Sequence, residues 1–170
     1  MTNWKDKYNE LTDSELNKIA VLRVMECTNG VIQHAFRDNT SDALPVEDTR
    51  ATMKFSMSCM KNMAIPLKEE TITFKPATEK LLRRARELYV SGVKQGNDED
   101  FKEFMEISEA TAQVCGMRRI IDAKKILEQN VDVFPPGTLD WGVSYLMQFF
   151  TDEYLRDFFQ SGGFGTSTSR

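Results

Sequence analysis

The chain has 170 residues, 41% of them hydrophobic and 28% charged, so one domain is expected, able to bury roughly 68–70% of its unfolded surface without disulfides or metals. That composition excludes general disorder, and apolar runs such as Ile19-Ala20-Val21-Leu22 meet charge too soon to cross a bilayer. A net charge of −4 excludes a global pull toward nucleic acid or anionic membrane, and the spacing of Cys27, Cys59 and Cys115 suits neither a disulfide framework nor a zinc site, leaving reduced, mostly buried thiols.

Residues 1–7 turn polar and charged at once, without the apolar core of a secretory signal, which predicts a cytoplasmic location, or a host cell's interior for a viral protein. Thr12-Asp13-Ser14-Glu15 has the form of a capping box, in which the threonine hydroxyl accepts an amide three residues on and the glutamate reaches back. A helix should run from there to about Asn29, with Gly30 as a left-handed stop and residues 31–36 adding a turn. Leu16, Ala20, Val24 and Cys27 share one face of this helix, and Leu11, Leu22 and Met25 the opposite one, as expected of a central element. Arg23 stands among these apolar neighbours, one turn from a partner in Glu26.

Pro45 with Glu47 and Asp48 reads as the first turn of a second helix, along which Met53, Met57, Met60 and Ala64 recur. Alternation of Met53, Phe55, Met57 and Cys59 leaves a strand as the rival over 51–64; helix is preferred, with Met53, Met57, Met60 and Met63 in the core. Pro66 should end that element, and Thr71-Ile72-Thr73-Phe74 is β-branched and extended in character. Pro76 then opens an amphipathic helix that buries Leu81, Leu82, Ala85, Leu88, Tyr89 and Val93 and stops at Gly96.

Asn97 or Asp98 caps the next helix, with Phe101, Phe104, Met105, Ala112 and Cys115 inward. Gly116 interrupts or kinks it at a cost of about 1 kcal/mol relative to alanine before it resumes through Ile120, Ala123 and Leu127. After the turn Phe134-Pro135-Pro136-Gly137, Thr138 should cap a helix over 139–150, and Thr151-Asp152-Glu153 should recap the chain for a last segment to Gln160. The expected architecture is all-α: a single-domain bundle of about five to seven helices over 1–160, with room for one short extended segment near 71–75, and a flexible Gly/Ser/Thr-rich tail at 161–170.

Signs of catalysis are scarce. His34 is the single histidine and has no nucleophile or acid at a motif spacing, so a surface or core-edge role is expected. Asp98-Glu99-Asp100 sits where carboxylates complement a helix dipole, and Gly162-Gly163-Phe164-Gly165 follows a helix instead of opening one, unlike a phosphate loop. No catalytic residue, cofactor or metal is assigned.

Two basic groups could meet phosphates: Lys80, Arg83, Arg84 and Lys94, and Arg118, Arg119, Lys124 and Lys125. Glu87, Asp122 and Glu128 dilute them, which favours solvated helix faces unless the fold brings the two groups together. Trp141, Tyr145 and Phe149 follow at four-residue steps on one side of their helix, with Leu139, Val143, Leu146 and Phe150 on the other. Two apolar faces need two covers: either the helix is central in the bundle, or its aromatic side, extended by Tyr154, Leu155, Phe158 and Phe159, docks a partner.

The expected function is therefore non-catalytic: a protein-interaction or self-assembly protein, of the kind found among viral and phage assembly subunits and host-interaction factors. Its interface would comprise Trp141, Tyr145, Phe149, Tyr154, Phe158 and Phe159, its partner would be a protein or a second copy in a homo-oligomer, and no membrane would be involved. A nucleic-acid binder using Lys80, Arg83, Arg84, Arg118 and Arg119 is the first alternative, and an enzyme whose site is assembled from scattered residues the second.

Overall fold

The computed structural model describes residues 3–37 and 46–162. The helix start expected at Pro45 and the tail from residue 163 onward lie outside the described residues. Within them the protein is all-α, with helices α1 (Trp4–Asn9), α2 (Asp13–Arg37), α3 (Val46–Asn62), α4 (Pro76–Tyr89), α5 (Asp98–Asn130), α6 (Thr138–Met147) and α7 (Asp152–Gln160). A two-stranded antiparallel ribbon, β1 (Ala64–Pro66) and β2 (Thr71–Thr73), pairs Ile65 with Ile72. No described helix is long and apolar enough to cross a membrane.

α2 is the axis of the fold. Ile19, Ala20, Val24 and Met25 are fully buried, with α5, α6 and α3 packed around them. Thr12 caps it as expected, accepting the Glu15 amide at 3.2 Å. The Glu15 carboxylate does not reach back to complete the box. It turns inward, accepts the Lys75 amide at 3.0 Å and pairs with Lys18 Nζ at 3.0 Å, tying α2 to the entry of α4. Gly30 does not stop the helix, which runs on to Arg37 because no left-handed residue interrupts it. Arg23 donates to Glu26 at 3.2 Å, as its spacing implied.

Residues 51–62 are helical, which decides between the two periodicities, but the buried side is not the methionine stripe. Thr49, Thr52, Ser56, Cys59 and Met63 face inward, Met53 and Met60 are half-buried, and Met57 is exposed. Small polar side chains bring α3 close to its neighbours, and the Thr52 hydroxyl donates to the Val133 carbonyl at 2.6 Å. The helix stops ahead of Pro66, where Met63 adopts a positive φ of 51° and sends the chain into β1.

Pro76 occupies the first turn of α4, whose last turn widens into a π-helical segment, Val90–Lys94, before Gly96 reverses the chain. Leu82 and Leu88 are buried, whereas Val93, expected inside, projects from the π segment into solvent. Asn97 caps α5 by accepting the Asp100 amide at 3.0 Å. Ala112 and Cys115 point inward as expected, but Phe101 and Met105 do not, because the first turns of α5 present Phe104 to Tyr89 and Glu103 to Trp4 and leave Phe101 and Met105 on the outer side.

At Gly116 the backbone leaves helical geometry altogether, with φ 77° and ψ 157°, a conformation open essentially to glycine alone. α5 is thus two helices joined at a break. After the Pro-Pro turn, Gly137 rather than Thr138 occupies the N-cap of α6, and the Thr138 hydroxyl instead donates to the Pro135 carbonyl at 2.8 Å. That helix ends at Met147, short of the expected Phe150, and Thr151 caps α7 by accepting the Tyr154 amide at 3.1 Å.

Candidate functional site

α6 presents Leu139, Val143 and Leu146 to the core, all buried. Between them Gly142 lies so close to α2 that a Cβ there would stand 2.9 Å from the Thr28 amide nitrogen, with the Thr28 hydroxyl nearer still. The two backbones can approach because Gly142 has no side chain, and the Thr28 hydroxyl that fills the gap donates to the Val24 carbonyl at 2.7 Å. One face of α6 is therefore sealed against α2. The other is left outside: Trp141 is 38% and Tyr145 48% exposed.

Phe149 follows on the same side but beyond the helix end, where the chain folds inward and leaves it only 9% exposed, its ring 6.0 Å from that of Tyr145. Beside it an open depression of about 300 Å³ is floored by Phe149 and Phe150 and flanked by Met105 and Glu109 of α5 and by Thr151. Gln113 holds this edge, donating to the Phe149 carbonyl at 3.3 Å and to Glu109 at 3.2 Å. Met105 is 37% exposed, and Phe101, one turn earlier on α5, is 45% exposed.

The nearly buried Phe149 thus links exposed Tyr145 to exposed Met105, and Trp141 and Phe101 each stand one helical turn farther along α6 and α5. This apolar band runs from Phe101 and Met105 on the first half of α5, across Phe149, to Tyr145 and Trp141 on α6. Phe101 and Met105 were missed because their helical spacing with Ala112 places them inside. The signal that could have found them is their setting, since Glu99, Lys102, Glu106 and Glu109 crowd the same turns and leave little for an apolar neighbour to pack on.

The aromatic residues of α7 are spent differently. Tyr154 stacks on Phe150 with ring centroids 4.6 Å apart, and its phenolic oxygen accepts the Met117 amide at 2.8 Å. It thereby satisfies the first free donor of the helix that restarts after Gly116. Phe158 is half-buried against the core beneath Arg118, whose guanidinium lies 5.6 Å from its ring. Phe159 is exposed and meets Phe158 edge-on. Of the six interface candidates, Trp141, Tyr145 and Phe149 follow one another along the band, Tyr154 and Phe158 fasten α7 to the broken helix, and Phe159 stays exposed beside Phe158.

The basic residues are largely matched by carboxylates. Arg83 lies 3.8 Å from Glu79, Arg84 lies 3.5 Å from Glu87 and 3.9 Å from Glu103, and Arg119 lies 2.8 Å from Asp13. Lys80 projects from α4 over an open depression of about 340 Å³ that also meets Glu79, Arg83 and Glu87. Arg84 leans toward the first half of α5 and Arg119 toward the start of α2, so the two groups spend their charge on different neighbours. Lys124 is held by Asp140 at 2.8 Å and Glu128 at 2.7 Å, bonds that raise its pKa.

His34 is exposed on α2. Among the described residues no group of three or more His, Cys, Asp or Glu is arranged to hold a metal ion. The chain matches no protein-family model, no curated protein and no solved structure.

Proposed function

We propose that this protein is a non-catalytic interaction domain that docks a protein through the band of Trp141, Tyr145, Phe149, Met105 and Phe101. The observation that carries the reading is the one-sided cover of α6: its aliphatic face is sealed on α2, while Trp141 and Tyr145 stand in solvent beside a second exposed apolar pair from a different helix. Isolated exposed apolar residues are ordinary, but a contiguous aromatic patch is the composition of binding hot spots.

The ion pairs of Arg83, Arg84 and Arg119 leave those side chains less free for phosphate, and the large depressions are open to solvent rather than enclosed. Both observations favour a protein ligand over nucleic acid or a small substrate.

Light scattering after size exclusion, over a concentration series, tests self-association. A defined oligomer that Trp141→Ala or Tyr145→Ala reduces to monomer, with helical circular dichroism retained, supports the reading. An oligomer indifferent to both variants sinks this choice of surface. A strict monomer removes self-assembly and leaves a different protein as the ligand.

A further inference from the structure

The border of the apolar band is mostly acidic, with Arg156 the one base on α7. On the α5 side Glu109 lines the depression and Glu106, exposed, follows Met105 in sequence; on the other side Asp152 and Glu153, both exposed, follow Thr151, which lines it. Among the described residues no ion pair engages these four carboxylates. Lys102 is the one base on the neighbouring turns of α5. At the Trp141 end the cation of Lys124 is already matched by Asp140 and Glu128.

We infer that the occupant of this groove is a basic amphipathic helix of another protein, its apolar stripe lying on Met105, Phe149, Tyr145 and Trp141 and its flanking Lys or Arg residues meeting the acidic rims. The inference rests on the interaction reading above and adds the partner's chemistry. An apolar floor of flexible methionine and rigid aromatics suits a helix laid in a groove. The rims set its sign, because carboxylates on both banks repel an acidic helix and steer a basic one.

A second copy of this chain is a poorer fit. Its basic surface on α4 carries Lys80, Arg83 and Arg84 with Glu79 and Glu87 among them, and it offers no apolar stripe to fill the floor.

The test is fluorescence anisotropy with three labelled peptides: an idealised leucine/lysine amphipathic helix, its leucine/glutamate counterpart with the same apolar stripe, and a leucine/lysine scramble without the stripe. The wild-type protein is expected to bind the first with one-to-one saturation and the other two roughly tenfold or more weakly. Tyr145→Ala should weaken that binding by roughly tenfold, and so should the double charge reversal Glu106→Lys/Glu109→Lys. Glu47→Lys, exposed on α3, which packs on α2 and β1, should leave it unchanged.

Equal binding of the scramble, or equal loss from Glu47→Lys, overturns the inference by exposing a general attraction of polycation to an acidic protein. Binding that needs Tyr145 but ignores the rim reversal, or that prefers the leucine/glutamate peptide, overturns the partner's charge and leaves the interaction surface standing. A monomer that binds none of the peptides overturns both.

Discussion

Glu15 shows how much one side chain can hold. It is 1% exposed, and burial opposes its ionisation, but the Lys75 amide, the Thr78 hydroxyl and Lys18 together outweigh that and keep its pKa below the usual 4.5. A carboxylate with a depressed folded pKa stabilises the fold fully above its unfolded value, and the contribution fades as pH falls through the folded one. Glu15→Gln is therefore expected to cost about 1–3 kcal/mol at neutral pH, and the gap from wild type should narrow as the pH falls below the unfolded carboxyl's range and through the depressed folded pKa. Urea unfolding at a series of pH values measures this; a gap independent of pH would show that the charge is immaterial.

Tyr154 is a second such residue. Tyr154→Phe keeps the stacking on Phe150 but strips the acceptor from the Met117 amide, so a loss of about 1–3 kcal/mol is expected, read by chemical denaturation. Hydrogen exchange at Met117 should quicken in the same variant.

At the scale of elements, the break in α5 is a requirement of Gly116 and not of its neighbours. Any side chain there is strained by the positive φ, and a Cβ would also meet the Tyr154 hydroxyl at 3.4 Å. Gly116→Ala should lower stability by about 1–3 kcal/mol, and a melting curve unchanged from wild type would mean that the break relaxes freely. Gly142→Ala acts by another route, wedging α6 away from Thr28, and is expected to destabilise by a similar amount, about 1–3 kcal/mol.

The helices themselves were legible wherever a local signal fixed them: Thr12, Asn97 and Thr151 as caps, Pro76 as a first-turn residue, Gly116 as an interruption. What periodicity could not supply was which turns the tertiary structure would cover. Phe101 and Met105 are spaced like core residues but lie on the outer side of α5, whose opposite side packs on α1 and α4, and α3 buries threonine and serine where hydrophobicity points to methionine. The band was half visible for the same reason: Trp141 and Tyr145 announce themselves on one helix, but the partners that complete it sit about forty residues away and become neighbours only through the fold.

For the molecule as a whole, the core is sealed as well as packed. Burial pushes the thiols of Cys27 and Cys59 up to about 11 and that of Cys115 to about 12, despite the opposing influence of Arg23 on Cys27 and of Arg23 and Arg119 on Cys115. At pH 8 native protein should therefore take up essentially no iodoacetamide, and all three thiols should label once guanidinium unfolds it. Mass spectrometry of the native sample gives the answer directly, and prompt labelling of one cysteine would identify a region that opens.

The contacts that close this core join distant parts of the chain: Trp4 donates to Glu103 at 3.3 Å, and Arg119 reaches Asp13 at 2.8 Å. α2, buried on nearly every side through its middle, is covered largely by α5 and α6, which a ribosome makes much later. During synthesis α2 therefore emerges well before the helices that cover it. Over that interval its buried side chains would be open to holdase chaperones, and slowing translation upstream of α5 would prolong the exposure.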